Sequence, residues 1–222
     1  TISQYEPDRL YALGSRLAVS LNRGDDWEFI SPNITREIDR DTLPVMGRVW
    51  PENAVWKNVF TNDYGIGVAF SESPLESNTL YVGTDDGLIQ VTEDGGVTWR
   101  KIDAFPGIPE LIYVSAVLAS RHDPDRVYAL FNNHKRGDFT PYVLRSDDRG
   151  RSWETIAGDL PARHVVWDII EDRVNPDLLF LGTEFGLFFT LEGGRQWVEL
   201  TEGSPTIPYR DLEIHEGMGD LV

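Results

Sequence analysis

The stretch Ser146-Asp-Asp-Arg-Gly-Arg-Ser-Trp153 decides the fold, because the chain contains four versions of it. The others are Thr92-Glu-Asp-Gly-Gly-Val-Thr-Trp99, Ser20-Leu-Asn-Arg-Gly-Asp-Asp-Trp27 and Thr190-Leu-Glu-Gly-Gly-Arg-Gln-Trp197. The first hydroxyl and the acidic or amide side chain two residues later can bond nearby backbone amides. The glycine tolerates positive φ, and the tryptophan begins a strand and packs over the turn. The pattern therefore predicts a self-bracing β-hairpin turn, with its structural positions at Ser20, Asn22, Gly24, Trp27, Thr92, Asp94, Gly96, Trp99, Ser146, Asp148, Gly150, Trp153, Thr190, Glu192, Gly194 and Trp197.

A second repeat precedes each of these turns and consists of a turn followed by a short apolar strand. Its anchoring aromatic residues are Tyr11, Tyr81, Tyr128 and Phe180. A unit of roughly 40 to 50 residues with four strands is typical of a β-propeller blade. The sequence therefore predicts a single all-β propeller region over 1–222, built of four-stranded antiparallel blades. Its parts are a partial blade at 8–31, an excursion at 33–64, blades at 65–102, 111–156 and 164–200, and the start of a further blade at 210–222.

The two ends of this repeat pattern do not form a closed ring. The first blade lacks its innermost strand, and the last unit has only two expected strands, Asp211–His215 and Asp220–Val222. Exposed strand edges invite pairing with other polypeptide. We therefore expect an incomplete ring or a fragment of a larger propeller protein, with its edges covered by further polypeptide or by another chain.

Composition narrows the classes of partner. The chain has a net charge of −17 with 20 Lys plus Arg, which argues against nucleic acid and anionic membranes as partners. It has no Cys, so disulfides and thiolate metal sites are excluded. No apolar run approaches the length of a membrane span, and no membrane insertion is expected.

The repeated turn resembles the Asp-box, or BNR, repeat of sialidases, sortilin-like receptors and some xyloglucan-active glucanases. Four further segments resemble one family of large bacterial exported proteins with sortilin-like tandem propellers: Arg40–Gly47, Leu80–Gly87, Phe131–Phe139 and Gly182–Phe189. Members of this family are often labelled glycosyl hydrolases. The resemblance implies a tandem propeller parent and an extracellular or periplasmic location. The arginine motif of sialidases is not found, and the catalytic aspartates of xyloglucan-active relatives are not matched to positions here.

Three acidic residues in predicted turns between second and third strands, Asp85, Asp86 and Glu184, are candidates for a functional site. Paired carboxylates could perform acid–base chemistry on a glycosidic bond, or hold Ca²⁺ through oxygen ligands. The alternative is that Asp85-Asp86-Gly87 is only a hairpin turn.

The predicted loop at 132–139 is longer than its counterparts and cationic, and it offers His134, Lys135, Arg136 and Asp138 as ligand-binding candidates. The alternative is a solvated hairpin tip. Trp50 and Trp56 in the excursion could stack on sugar rings or cover an apolar channel end.

Two functions remain open at this point. The favoured one is a non-catalytic interaction module of an exported bacterial protein that binds a protein or carbohydrate ligand, since no catalytic constellation is identified. The alternative is a glycoside hydrolase that acts on a polysaccharide through acidic loop carboxylates. Neither hypothesis requires a cofactor, and Ca²⁺ is the one ion considered.

Overall fold

The computed structural model describes residues 1–55, 57, 64–215 and 217–222, and in them the chain forms four antiparallel sheets. The first sheet has three strands and the others have four. The strands are β1 (Leu10–Leu13), β2 (Leu17–Ser20), β3 (Glu28–Phe29), β4 (Gly67–Glu72), β5 (Leu80–Thr84), β6 (Ile89–Thr92), β7 (Arg100–Ile102), β8 (Tyr113–Ala119), β9 (Val127–Asn133), β10 (Asp138–Ser146), β11 (Glu154–Thr155), β12 (Val166–Glu171), β13 (Leu179–Thr183), β14 (Gly186–Thr190) and β15 (Val198–Glu199). Two short 3₁₀ turns lie at Arg40–Thr42 and His134–Arg136.

Apolar residues of the strands pack each sheet against the next in chain order. Tyr11 and Val82 contribute to a buried cluster between the first and second sheets, and two further clusters join the second to the third and the third to the fourth. The second and third sheets approach so closely that a Cβ at Gly83 would lie 2.4 Å from Val114 Cγ1. Successive sheets stacked face to face in this way form blades, so the predicted all-β propeller fold is confirmed.

The repeated turns are braced by their own side chains. The Ser146 hydroxyl donates to Asp148 (2.7 Å) and accepts from the Gly150 amide (2.7 Å), which stands at a φ of 79°. In the copy at Thr92, hydrogen bonds from the Thr98 hydroxyl and amide lower the pKa of Asp94 to about 2. These carboxylates are committed to the turn and are not available for chemistry on a ligand.

The four tryptophans of these turns are not equally buried, although the sequence predicts equivalent buried positions for Trp99, Trp153 and Trp197. Trp197 is 7% exposed, Trp99 and Trp153 are half-buried, and Trp27 is 47% exposed. The indole of Trp197 donates to the carbonyl of Ile156 on the preceding blade, which covers it. Trp27 belongs to the first sheet, and no earlier sheet packs against it among the residues described.

The last segment differs from the two predicted strands. Ile214 and Leu221 form an isolated bridge, and Glu213 and Val222 exchange backbone hydrogen bonds of 3.0 and 2.8 Å. The Leu212 amide donates to the Asp168 carboxylate of β12 (2.8 Å), and Leu212 and Ile214 are buried. A short hairpin against the fourth sheet therefore replaces the expected strands at Asp211–His215 and Asp220–Val222.

Buried glutamates link two of the three pairs of neighbouring sheets. Glu171, at the end of β12, accepts hydrogen bonds from the Ser120 hydroxyl, the Arg121 amide and the Tyr128 hydroxyl of the third sheet. Glu72, at the end of β4, accepts the same three kinds of hydrogen bond from Ser3, Gln4 and Tyr11. We call each of these groups a glutamate staple.

The second and third sheets have no glutamate staple. Ala119 stands at the equivalent position of β8, paired with Val127 as Glu171 is paired with Leu179. The hydroxyl of Tyr81 is buried without a hydrogen-bond partner there. Pro74 follows Ser73 and has no amide hydrogen to donate to a carboxylate. Arg149 instead forms ion pairs across this junction with Glu76 (2.9 Å) and Glu93 (3.3 Å).

Candidate active site

One end of the blades collects the loops that connect strands on the side away from the repeated turns. Because the strands of each sheet alternate in direction, the turn after the second strand and the connection to the next sheet lie at the same end. We call this end the loop face. It contains the turns at 84–88, 133–138 and 183–186, the described parts of the connection between the first and second sheets (30–55, 57 and 64–66), and the connections at 103–112, 156–165 and 200–211.

Asp85 on the loop face lines a cavity of about 1060 Å³ together with residues of the excursion. The other lining residues are Arg40, Leu43, Val45, Arg48, Trp50, Pro51, Asn53, Ala54, Val55, Lys57 and Tyr64. Asp85 is half-buried, and one carboxylate oxygen accepts from the Ile66 amide at 2.7 Å. Asp85 is the one carboxylate among these lining residues.

Burial raises the pKa of Asp85 above its ordinary value. The hydrogen bond from Ile66 and the charge of Lys135 act in the opposite direction, and the neighbouring Asp86 adds to the increase. A carboxyl with a raised pKa beside an open cavity is suited to donate a proton to a ligand.

Asp86, which the sequence offers as a candidate for a functional site, is fully buried and holds the turn together. Its carboxylate accepts from the Thr84 hydroxyl and from the Arg36 amide, which is 2.7 Å away. The Arg36 guanidinium in turn donates to the Asp86 carbonyl (2.9 Å). The two adjacent aspartates therefore have separate tasks, since Asp85 faces the cavity and Asp86 anchors the excursion.

The excursion forms the opposite wall of the cavity and is braced internally. Asp39 caps the 3₁₀ turn by accepting from the Asp41 amide, and Lys57 pairs with Asp41 at 2.8 Å. The Trp50 indole donates to the Val45 carbonyl (3.0 Å), and Lys57 donates to the Trp50 carbonyl. Trp50 therefore has a fixed position in the cavity wall. The predicted candidate Trp56 lies outside the described residues.

The long loop of the third sheet approaches Asp85 from the other side. Lys135 lies 5.7 Å from the ring centre of Tyr113, and Arg136 donates to the Glu110 carbonyl (3.2 Å). Asp138 accepts from the Tyr142 hydroxyl (2.8 Å) and the Thr140 amide (3.1 Å), so it braces the loop. Of the four candidates in this loop, Lys135 influences the pKa of Asp85, and Arg136 influences that of Tyr64.

A second cluster on the loop face is centred on Trp167. This residue occupies a β-bulge in β12, between the pairs Val166–Thr183 and Asp168–Gly182. Bulges re-aim side chains, and here the Trp167 indole donates to the Glu184 carboxylate at 2.9 Å. The Arg210 guanidinium lies 4.3 Å from its ring centre, and the His134 ring lies 5.5 Å away. The structure thus brings His134 and Glu184 together, but not with Asp85 in one cavity.

Sequence reasoning missed several residues of this face, among them Arg48, Tyr64, Tyr113, Trp167 and Arg210. Tyr113 and Trp167 both lie near the start of an innermost strand, which is a signal that the repeat alignment could have supplied. Arg48 is recognised only through its contact with Trp50, which depends on the folded excursion.

Two wider properties concern metal ions and membranes. Within the described ranges, no group of three or more His, Asp or Glu side chains is arranged to hold a metal ion. Asp85, Asp86 and Glu184, considered above as Ca²⁺ ligands, form no such group. In the same ranges, no helix has the length and apolar character needed to cross a membrane.

Comparison with known proteins finds similarity in sequence to proteins named as xyloglucanases and similarity in fold to solved GH74 structures. No family model matches the chain. The chain is 28% identical over 167 residues to the oligoxyloglucan-reducing end-specific xyloglucanase of Emericella nidulans, a match that covers 73% of this chain and 17% of the relative. It is 27% identical over 158 residues to xyloglucanase Xgh74A of Acetivibrio thermocellus, covering 64% and 18%. The solved structure of an ancestral GH74 enzyme superposes with a TM-score of 0.61 at 17% identity, covering 89% of this chain and 23% of that one.

These findings define the chain as a β-propeller segment similar to xyloglucanases. It spans less than a fifth of the length of the curated relatives that it matches. The expectation of a non-catalytic interaction module is wrong in this light, because the relatives are named as glycoside hydrolases. That expectation arose because the repeated turns contain no catalytic residues. The candidate acid Asp85 was not recognised as catalytic, because its turn has the composition of an ordinary hairpin.

Proposed function

We propose that the chain is part of a glycoside hydrolase that cleaves a branched polysaccharide lying across the loop face, with Asp85 as the general acid. The observation that carries this proposal is the half-buried Asp85, whose pKa burial raises and which lines the cavity walled by Trp50 and Tyr64. The names of the relatives favour a substrate of the xyloglucan class. We also assign the repeated turns to the Asp-box type.

Asp85 would protonate the glycosidic oxygen as the bond to the leaving sugar breaks. The raised pKa keeps a larger fraction of this carboxyl protonated than an exposed aspartate would have. The ring of Trp50 offers an apolar face on which a sugar can stack. Hydrolysis needs a second carboxylate as base or nucleophile. Because Asp85 is the one acidic residue among the described lining residues, we assign that role to a part of the whole protein outside this cavity.

A polysaccharide is too large to diffuse through a membrane, so we place the activity outside the cell or in the periplasm. The ligand class is a carbohydrate, as the relatives suggest.

The test is release of reducing ends from xyloglucan, compared with an unbranched β-glucan, by the whole protein. We expect Asp85→Asn to lower kcat by roughly 100-fold or more, since general acid catalysis contributes about 10²–10⁴. Asp25→Asn is the matched control, because Asp25 is exposed in the repeated turn of the first sheet, at the opposite end of the blades. Full activity of Asp85→Asn, or no hydrolysis of any polysaccharide by the unmodified protein, would refute the proposal.

A further inference from the structure

The cavity at Asp85 is lined by Arg40, Arg48 and Lys57, and Lys135 lies close enough to influence Asp85. The chain has 37 Asp plus Glu against 20 Lys plus Arg, so carboxylates outnumber cations. Arg126, Arg145 and Arg149, for example, all form ion pairs. In the described part of the chain, Arg48, Lys135 and Arg136 instead contact aromatic rings or backbone carbonyls and pair with no carboxylate.

Arg48 is held in place by the cavity wall. Its guanidinium lies 3.3 Å from the ring centre of Trp50, and Trp50 is fixed by its hydrogen bond to Val45 and by the contact of Lys57 with its carbonyl. Stacking on an indole orders the planar guanidinium and leaves its N–H groups at the edge. This arrangement is suited to bidentate binding of a carboxylate.

Lys135 and Arg136 bring charge to the same region from the third sheet. Both lie in the 3₁₀ turn at His134–Arg136, which has no buried residue. Lys135 is close enough to Asp85 to counteract part of the rise in its pKa, and Arg136 has the same kind of effect on Tyr64. Arg48 of the excursion and the cations of the third sheet therefore lie around Asp85, which is the one carboxylate among the described lining residues.

We propose that this cavity recognises an anionic sugar, so that the branches of the polysaccharide substrate carry the carboxylate of a uronic acid, bound by Arg48 of the cavity wall with Lys135 as a nearby cation. This inference rests on the proposed function and specifies its substrate. A neutral glycan gains little from these exposed cations, whereas a uronate gains charge-assisted hydrogen bonds. Because the chain has a net charge of −17, its overall field does not attract an anion, so selection of an anionic ligand depends on the cations near the cavity.

The same arrangement couples binding to catalysis. Lys135 in the empty cavity favours the ionised form of Asp85, which cannot donate a proton. A uronate bound at Lys135 neutralises this charge, and the pKa of Asp85 then rises. An acidic branch would therefore increase the protonated fraction of the general acid, in addition to tightening binding.

The experiment measures binding by titration calorimetry, without turnover, of a xyloglucan oligosaccharide in which one branch carries a uronic acid. The matched ligand is the same oligosaccharide after reduction of its carboxyl group to an alcohol. We expect the acidic form to bind roughly tenfold or more tightly, and this advantage to shrink as salt is raised from 50 to about 500 mM.

Two variants, Arg48→Gln and Lys135→Gln, each remove one cation and should abolish most of the preference. The control is Arg16→Gln, which removes another guanidinium near an aromatic ring, 5.5 Å from Phe29 and outside the cavity lining. Equal affinity for the two ligands overturns the inference, as does a preference that both cavity variants retain. Hydrolysis of neutral xyloglucan with no preference for the acidic oligosaccharide would support the proposed function and refute this inference. Tight binding of the acidic oligosaccharide without hydrolysis of any polysaccharide would support anion recognition and refute the proposed function.

Discussion

Tyr128 and Tyr81 provide a direct measure of what a glutamate staple contributes. They occupy equivalent positions in the third and second sheets and are 1% and 0% exposed. The Tyr128 hydroxyl donates to Glu171 at 3.0 Å, whereas the Tyr81 hydroxyl is buried without a partner. The substitution of Phe removes the same atom at both sites, so the difference between the two variants isolates the hydrogen bond to the carboxylate.

Tyr128→Phe should lower the free energy of unfolding by about 2 kcal/mol, since hydrogen bonds to charged groups contribute ~1.5–3 kcal/mol. Tyr81→Phe should change it by less than ~0.5 kcal/mol or stabilise the protein, because it removes an unsatisfied buried hydroxyl. Tyr11→Phe repeats the first case, since Tyr11 donates to Glu72 at 2.9 Å.

The assay is urea unfolding followed by tryptophan fluorescence, with stability compared at equal m values. A loss at Tyr81→Phe equal to or larger than that at Tyr128→Phe would refute the reasoning. It would mean that ring packing dominates at both positions and that the carboxylate adds nothing.

Three further outcomes follow from the geometry. Burial raises the pKa of Asp168 from 3.8 to about 6, although the hydrogen bond from the Leu212 amide acts in the opposite direction, so ionisation of Asp168 disfavours the folded state, and stability should fall as pH rises from about 4 to 6. Asp168→Asn should remove this loss, worth up to roughly 3 kcal/mol in urea melts at pH 7, and an unchanged pH profile would contradict the assignment. Trp197→Ala should cost ~3–5 kcal/mol in the same melts, and the exposed Trp27→Ala under ~1 kcal/mol; similar losses would show that burial does not set the cost. In a Lys135→Gln variant, the alkaline limb of the pH profile of kcat/KM should shift to higher pH, because removing the cation raises the pKa of Asp85. A Lys135→Arg variant keeps the positive charge, so its alkaline limb should shift to lower pH no more than slightly.

The fold was predictable because its signal is local. The turn at Ser146–Trp153 contains its own hydrogen-bonding groups and its own glycine, so eight residues specify the hairpin and four copies specify the repeat. The tail at Asp211–His215 was misjudged for the opposite reason. Its apolar residues Leu212 and Ile214 fit a strand. In the structure both are buried against the fourth sheet, although the tail forms a single isolated bridge, between Ile214 and Leu221.

The candidate site was predictable only in part. Asp85 and Asp86 look alike in sequence, and the hydrogen bond from the Arg36 amide, 50 residues away, decides which one is buried. The pairing of Arg48 with Trp50 depends on how the excursion folds, and the exposure of Trp167 depends on a bulge. Periodicity reports which face of a strand is apolar, but it does not report such long-range contacts.

The unequal links between neighbouring sheets imply that this molecule will not open uniformly. The glutamate staples link the first sheet to the second and the third to the fourth through buried carboxylates, which salt screens poorly. The second and third sheets share a buried apolar cluster, and their polar contacts include the half-exposed ion pairs of Arg149, which salt screens more strongly. Concentrated salt should therefore loosen one junction ahead of the others, and hydrogen exchange should then reveal two cooperative units, each a pair of blades. A substrate that spans the loop face from Asp85 on the second blade to Lys135 on the third would cross that salt-sensitive junction, so its binding would join the two halves mechanically.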